Sequence, residues 1–331
     1  MRFSCSWLAG LFVVLLSSGT AAADRQRRPV MDLGRSIEHH DSSVVFARYF
    51  DEDPLTDDAT VQAGDALARL AWQADPAAYP GDRAGSLRAI YDSSRPAGWF
   101  GFRLPGSFGA HETFSAAAAF VIDADGFAAD PNGFFQISWG LWNADRTGLE
   151  RTGSFTSFSV DTFELIEFDY FPNVSPFFGG PFLSPGIFGS DVSGDAFSNF
   201  SSLFDLEVRL PLDVPLLAVL EHRPDLDALI LSVHRIVDDG HVVPLNAAVG
   251  VAPLDLLALR DYEVDTIGLT LWKDGFGGAS PAVVANVSFH ALTATSGLVG
   301  RPEEMLQISA PGDDDSDDDS DDESDDDSGD D

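Results

Sequence analysis

Phe163-Glu-Leu-Ile-Glu-Phe-Asp-Tyr170 is the segment whose residue types and spacing come nearest to chemistry. On an extended strand, Glu167 and Asp169 share one face, about 6.6 Å apart along the chain, while Ile166, Phe168 and Tyr170 take the other. Two carboxylates on one side of a sheet can divide acid and base work on a glycosidic bond. They can equally accept hydrogen bonds from sugar hydroxyls, contact a cation, or pair with Arg on a solvated face. Glu164 falls on the opposite face unless a bulge intervenes.

Aromatic residues add a second clue. Trp99, Trp139, Trp142 and Trp272 all fall on expected strands or strand ends. In Phe134–Trp142, Trp139 shares its face with Phe135, Ile137 and Leu141, a core pattern. Trp142 shares its face with Gln136, Ser138 and Gly140, which reads as exposed. An exposed Trp can stack on a sugar ring; packing beneath a loop is the alternative. Glu167, Asp169 and Trp142 are therefore the ligand-binding candidates. Glu167 and Asp169 are also the candidates for catalysis, although no catalytic set is assigned.

Metal and nucleophile patterns are sparse. Asp123-Ala-Asp-Gly126 begins like a calcium loop, but Phe127 and Ala128 stand where ligands and the turn Gly belong. Asp123 and Asp125 are the calcium candidates, and no metal site is assigned. His39-His40-Asp41 needs ligands from elsewhere, and His111-Glu112 lacks the second His of a zinc helix. Gly-x-Ser-x-Gly and phosphate-loop motifs are absent. Asn173, Asn199 and Asn286 each begin an Asn-x-Ser triplet.

The elements that must position these residues read as strands. Apolar and polar residues alternate in Leu206–Leu212, Val283–His290 and Phe114–Ile122. Further strands are expected at Ser86–Tyr91, Trp99–Leu104, Phe134–Trp142, Phe155–Tyr170, Leu216–Glu221, Ala228–Val237, His241–Leu245 and Tyr262–Trp272. Asp130-Pro-Asn-Gly133 and Asp238-Asp-Gly240 supply turn chemistry. Asp57–Ala74 is the best helix candidate, weakened by Gly64. Pro172–Phe200 is long for an idle connection and has room for a strand at Phe182–Phe188. Many short strands without a βαβ rhythm predict an all-β fold with little helix: a two-sheet antiparallel jelly-roll sandwich.

The series Gly133–Asn143, Thr162–Tyr170, Tyr262–Trp272 and Val287–Leu292 resembles the concanavalin A-like lectin/glucanase jelly rolls, and exported bacterial proteins of that shape. The resemblance spans roughly residues 86 to 292 and carries strand layout more than chemistry. Jelly-roll glucanases use Glu-x-Asp followed by a second Glu. Glu167-Phe-Asp169 fits the first half, while Phe171 and Pro172 occupy the place of the second Glu.

Both ends of the 331-residue chain differ from its body. Arg2, the apolar run Trp7–Leu16 and Ala21-Ala22-Ala23 look like a secretory signal peptide cleaved before Asp24. Cleavage would remove Cys5, the only Cys, and leave no membrane span in the mature protein. The last 19 residues, Asp313–Asp331, hold only Asp, Glu, Ser and Gly and are expected to be disordered, with weak calcium association as their one chemistry. The expected organisation is residues 1–23 signal peptide, 24–85 N-terminal arm, 86–292 sandwich, 293–312 linker and 313–331 acidic tail.

With 54 acidic and 19 basic residues the formal charge is −35, and much of the excess lies in the body. Such a surface excludes nucleic acid and anionic lipid as partners. It suits a salty habitat, where counterions screen self-repulsion, although a biased genome would give the same composition. The expectation is thus a secreted or periplasmic, non-catalytic sandwich without a cofactor. Its expected partners are a neutral glycan or cell-surface component and divalent cations. The alternatives are a polysaccharide-cleaving enzyme with a groove around Glu167, and a structural acidic matrix protein.

Overall fold

The computed structural model describes residues 43–74, 85–125, 135–148, 153–154, 157–158, 164–173, 181–190, 196–200, 208–237, 241–254, 262–272 and 284–306. The proposed signal segment, the turn at Asp130–Gly133 and the acidic tail lie outside them.

Among the described residues there are seventeen strands: β1 Ser43–Tyr49, β2 Thr60–Gly64, β3 Leu70–Gln73, β4 Ser86–Asp92, β5 Gly98–Gly109, β6 Phe114–Ile122, β7 Phe135–Trp142, β8 Gly153–Ser154, β9 Ser157–Phe158, β10 Leu165–Asn173, β11 Phe182–Ser190, β12 Ala196–Phe200, β13 Leu216–Arg223, β14 Ala228–Ile236, β15 Val242–Pro253, β16 Glu263–Leu271 and β17 Val284–Ser296. Sheet I runs β15–β14–β13–β6–β17–β4–β3, with β1 also on β17. Sheet II runs β12–β11–β10–β7–β16–β5–β2, and β8 pairs with β9. Neighbouring strands in both sheets are antiparallel. This is the expected all-β, two-sheet jelly-roll sandwich. Among the described residues only short 3-10 turns interrupt the strands, and no helix is long and apolar enough to cross a membrane.

Alternation places the core. Phe114, Ala116, Ala118, Phe120 and Ile122 of β6 face inward and are buried among the side chains of sheet II. Phe120 meets Phe168 edge-on at 5.9 Å, and Trp139 stacks on Phe168 at 5.8 Å. Small Ala residues alternating with Phe let the two layers interdigitate at a spacing of about 10 Å.

Three stretches depart from the expected elements. Asp57–Ala74 is not a helix: it holds β2, a 3-10 turn at Leu67–Arg69, and β3. Gly64 ends β2 in the left-handed region at φ 64, and β2 and β3 go to different sheets. The segment read as an N-terminal arm therefore supplies β1, β2 and β3 to the sandwich. Across Leu206–Leu212, the described residues 208–212 form no strand. Val208 N–H donates to the Pro181 carbonyl and Leu210 N–H to the Tyr170 hydroxyl, so this piece is tied to the start of β11 and to β10 while burying Val208 and Leu210. Pro211 removes one ladder donor, and Asp213 turns the chain at φ 54.

The third departure follows β17. Residues 297–306, placed in a linker by composition, cross the outer face of sheet I. Val299 and Met305 are buried there on Ala117, Ala119, Leu217 and Val219, and the Tyr49 hydroxyl donates to the Leu306 carbonyl. Met305→Ala is expected to cost about 2 kcal/mol, as for other buried Met truncations. Deleting residues 313–331, a tail with no apolar side chain to bury, should leave the melting temperature nearly unchanged. Thermal unfolding of the two variants in moderate salt checks both halves. Equal effects would mean that the strap does not hold sheet I.

Candidate functional site on the outer face of sheet II

Strand register assembles the candidate residues. On β10, Leu165, Glu167 and Asp169 stand opposite Trp142, Gly140 and Ser138 of β7. Those three face Thr266, Gly268 and Thr270 of β16, which in turn face Arg103, Gly101 and Trp99 of β5. Glu167, Asp169 and Trp142 thus do share the outer face of sheet II, as their spacing predicts.

Trp142 does not have the exposure its face-mates suggest, and among the described residues no groove opens around Glu167, as the enzyme alternative requires. Glu167, Asp169 and Trp142 are 0%, 3% and 0% exposed. For Trp142 the reason lies in its neighbours. Gly140, Gly268 and Gly101 form a row of residues without side chains, and the indole drops into it. Its Cη2 lies 2.7 and 2.8 Å from where a Cβ on Gly101 or Gly268 would be. Trp142 then packs against Trp99, Leu165, Phe188 and Trp272, with the Trp99 ring 5.5 Å away. In the sequence, Gly and Ser beside Trp142 look like a solvated face; in the sheet, they are the bed of an aromatic cluster.

The carboxylates are engaged. Glu167 Oε1 accepts from Trp272 Nε1 at 2.6 Å and from the Thr270 hydroxyl. Ser138 Oγ donates to the Thr270 carbonyl at 2.8 Å. Asp169 Oδ1 accepts from Gln136 Nε2 at 2.9 Å. From the core side, the Tyr91 hydroxyl donates to the Ser138 carbonyl at 2.6 Å. Burial, and then the charge of Glu167, push the Tyr91 hydroxyl well above its ordinary value. Trp99 Nε1 and Trp142 Nε1 are buried without a hydrogen-bond partner among the described residues.

Glu164, immediately before β10, is buried with φ at 56, a strained conformation for a side chain other than Gly. Its carbonyl accepts from Asn143 N–H and the Thr147 hydroxyl, and its Oε1 lies 2.5 Å from Arg146 Nη1. Burial raises its pKa, with Arg146 opposing.

A charged rim adjoins Trp142, and sequence reading missed it. Arg103 pairs with Asp145 at 2.7 Å and with Asp265. Asp265 Oδ1 also accepts from Ala144 N–H at 2.9 Å and the Thr266 hydroxyl at 2.8 Å. The Arg103 and Asp145 side chains are 39% and 78% exposed. Only the register of β5 on β16 joins these residues. The one local signal is the charge of Arg103 inside an otherwise apolar strand.

Of the calcium candidates, Asp123 has other partners for its carboxylate, and Asp125 is held through its backbone carbonyl. Asp123 lies 3.7 Å from Arg88 Nε and accepts from the Ser288 hydroxyl at 3.4 Å. Burial raises the Asp123 pKa, and Arg88 opposes it. The Asp125 carbonyl accepts from Asn286 Nδ2 at 3.1 Å, and Ala124 N–H donates to Asp213 Oδ1. The Arg88 guanidinium thus faces the Asp123 carboxylate, and among the described residues no group of three or more His, Cys, Asp or Glu is arranged to hold a metal; residues 126–134, the rest of that loop, lie outside them. The Asn286 amide is buried in this contact. The side chains of Asn173 and Asn199, and the segment His39–Asp41, lie outside the described residues.

No protein-family model matches the chain, and no curated protein matches it. Similar solved structures include lectins. Lectin II from Ulex europaeus is 13% identical with a TM-score of 0.42, the match covering 77% of this chain and 100% of that one. The Lotus tetragonolobus seed lectin is 12% identical with a TM-score of 0.43, covering 78% and 100%. The Emp47p carbohydrate recognition domain is 13% identical with a TM-score of 0.38, covering 71% and 100%. Likeness of this order assigns no ligand to any residue of this chain.

Proposed function

We propose that the chain is an exported, non-catalytic β-sandwich that binds a neutral glycan on the outer face of sheet II, entered from the Arg103–Asp145 rim. The observation that carries this reading is the exposed Arg103–Asp145 pair beside the neighbouring indoles Trp99 and Trp142 on one sheet face; the indole N–H groups there, like that of Trp139 in the core, are buried with no partner among the described residues. Buried polar atoms are ordinarily satisfied by protein, water or ligand. Sugars supply oxygen acceptors for indole donors, apolar ring faces for indole planes, and hydroxyl donors for the rim carboxylates. Export rests on the signal-like N-terminus. The acidic surface disfavours anionic polysaccharide.

Cleavage is the less supported alternative. Glu167 is buried, and its Oε1 is occupied by Trp272 and Thr270, whereas a catalytic carboxyl must reach the scissile bond. The same burial favours a second reading, a structural acidic surface protein in which this cluster is a mini-core.

A glycan array on the mature protein, followed by product analysis, separates the three. The expected result is binding to neutral glycans, weakened by about 1 to 2 kcal/mol in Arg103→Ala through loss of a charged hydrogen bond, with no hydrolysis. Absence of binding across the array would favour the structural reading. Products that vanish in Glu167→Gln would establish an enzyme.

A further inference from the structure

The strap that follows β17 is seated mostly by apolar contact. It begins at Gly297, in the left-handed region at φ 76, whose N–H donates to the Thr113 carbonyl at 2.8 Å. Leu298, Val299 and Met305 are buried, the last two among Ala117, Ala119, Leu217, Val219 and Ala291. At the far end the Tyr49 hydroxyl reaches the Leu306 carbonyl at 3.4 Å, a long bond. The ion pairs of the strap run within itself, from Arg301 to Glu303 at 3.8 Å and to Glu304 at 3.2 Å. Seven residues past Leu306, at Asp313, begins a run with fourteen acidic residues in nineteen, and the rest of the chain carries a formal charge of −21. Even a fully extended connection puts the first of those carboxylates within about 25 Å of Leu306.

We infer that residues 298–306 are a salt-set latch, seated on the outer face of sheet I where counterions screen the acidic tail from the acidic body, and lifted about Gly297 where they do not. Two bodies of like charge on a short tether repel, and the repulsion pulls on the point where the tether is anchored. That point is Leu306, next to Met305. Lifting the strap lengthens the tether by nine residues and lets fourteen charges move away from the body. At 0.05 M salt the Debye length is about 14 Å, comparable with the tether, so the repulsion reaches across it; at 1 M it is about 3 Å and the repulsion does not. The contacts of Val299 and Met305 are apolar and gain nothing from dilution, so ionic strength sets the balance. Lifting bares Ala117, Ala119, Leu217 and Val219, an apolar face that the seated strap covers.

Met305 reports the latch, since a thioether buried under the strap is out of reach of peroxide. Its sulfoxidation in the full chain by dilute hydrogen peroxide is followed by peptide mass, relative to free methionine in the same buffer. The expected rate is about tenfold faster at 0.05 M than at 1 M NaCl, because only the tail's repulsion is unscreened. With every acidic residue of 313–331 replaced by its amide, Asp→Asn throughout and Glu323→Gln, the slow rate is expected at both salts. Hydrogen exchange of the β6 amides should stay slow in all four cases, which separates lifting of the strap from unfolding of the sheet. Equal Met305 rates at the two salts would overturn the inference. So would a salt effect that survives in the amide variant, or loss of β6 protection together with that of Met305.

Discussion

Gly268→Ala is expected to destabilise the fold by about 3 kcal/mol, at the upper end for overpacking. A Cβ at Gly268 would come 2.8 Å from Trp142 Cη2, and closer still to the Phe100 carbonyl oxygen and Gly101 Cα. The last two are backbone atoms of β5 and cannot rotate away. Strand β5 must therefore separate from β16, or the indole must leave its bed. Gly106→Ala is the control: its Cβ would meet nothing within 4 Å, so an effect within about 0.5 kcal/mol is expected. Urea unfolding gives the two stabilities, and near-ultraviolet circular dichroism reports the Trp99–Trp142 pair. Equal stabilities for the two variants would show that the glycine row is not what seats the tryptophan.

Stability should also fall steeply in mild acid, by about 3 kcal/mol between pH 6.5 and 4, through one histidine. His222 is buried. Its Nδ1 lies 2.6 Å from the Glu112 carbonyl, which makes Nδ1 the donor and leaves Nε2 to accept from the Tyr262 hydroxyl. The ring stacks on Phe114 at 4.5 Å, and Phe114 stacks on Phe108. Burial pulls the His222 pKa down to about 4; the Glu112 carbonyl opposes this, and His111 adds slightly to it. The folded pKa is below the unfolded one, so the unfolded chain binds the extra proton first as pH falls. The contribution is complete above about pH 6.5 and is lost on the way down to about 4. Urea unfolding at intervals from pH 7 to 4 should show that slope in the parent and a much smaller one in His222→Gln. Identical slopes would place the acid sensitivity in other groups.

Strand positions were legible wherever one face is buried and the other is not. Tyr262–Trp272 and Ala228–Val237 hold to within a residue or two because each contains an alternating apolar run in the core, Ile267, Leu269 and Leu271 in one and Leu229, Leu231 and Val233 in the other, although a bulge shifts the phase in both. Alternation misled at Leu206–Leu212, where Val208 and Leu210 are buried by a bridging segment with no ladder. It was silent at β1, and β2 and β3, short edge strands, lie inside the stretch whose spacing read as a helix. The candidate face was legible as a face, since period two needs only the strand. Its burial was not, because that depends on Gly101 and Gly268 from two other strands lying level with Gly140. The Arg103–Asp145–Asp265 rim depends in the same way on partners far apart in the chain, and no window of sequence holds them together.

Strand β17 lies in the middle of sheet I, between β6 and β4, and also pairs with β1; β16 is likewise interior to sheet II, between β7 and β5. Among the described residues these two are the last strands made. Strands from residue 43 onward must therefore wait for residues 263–296 before either sheet can close. A ribosome delivers the chain in the opposite order to that need. Until synthesis is nearly finished, both halves of each sheet keep open edges and cannot join, which favours aggregation if the wait is long. The same delay keeps the polypeptide threadable, the condition for passing an unfolded chain through a narrow channel before it folds on the far side.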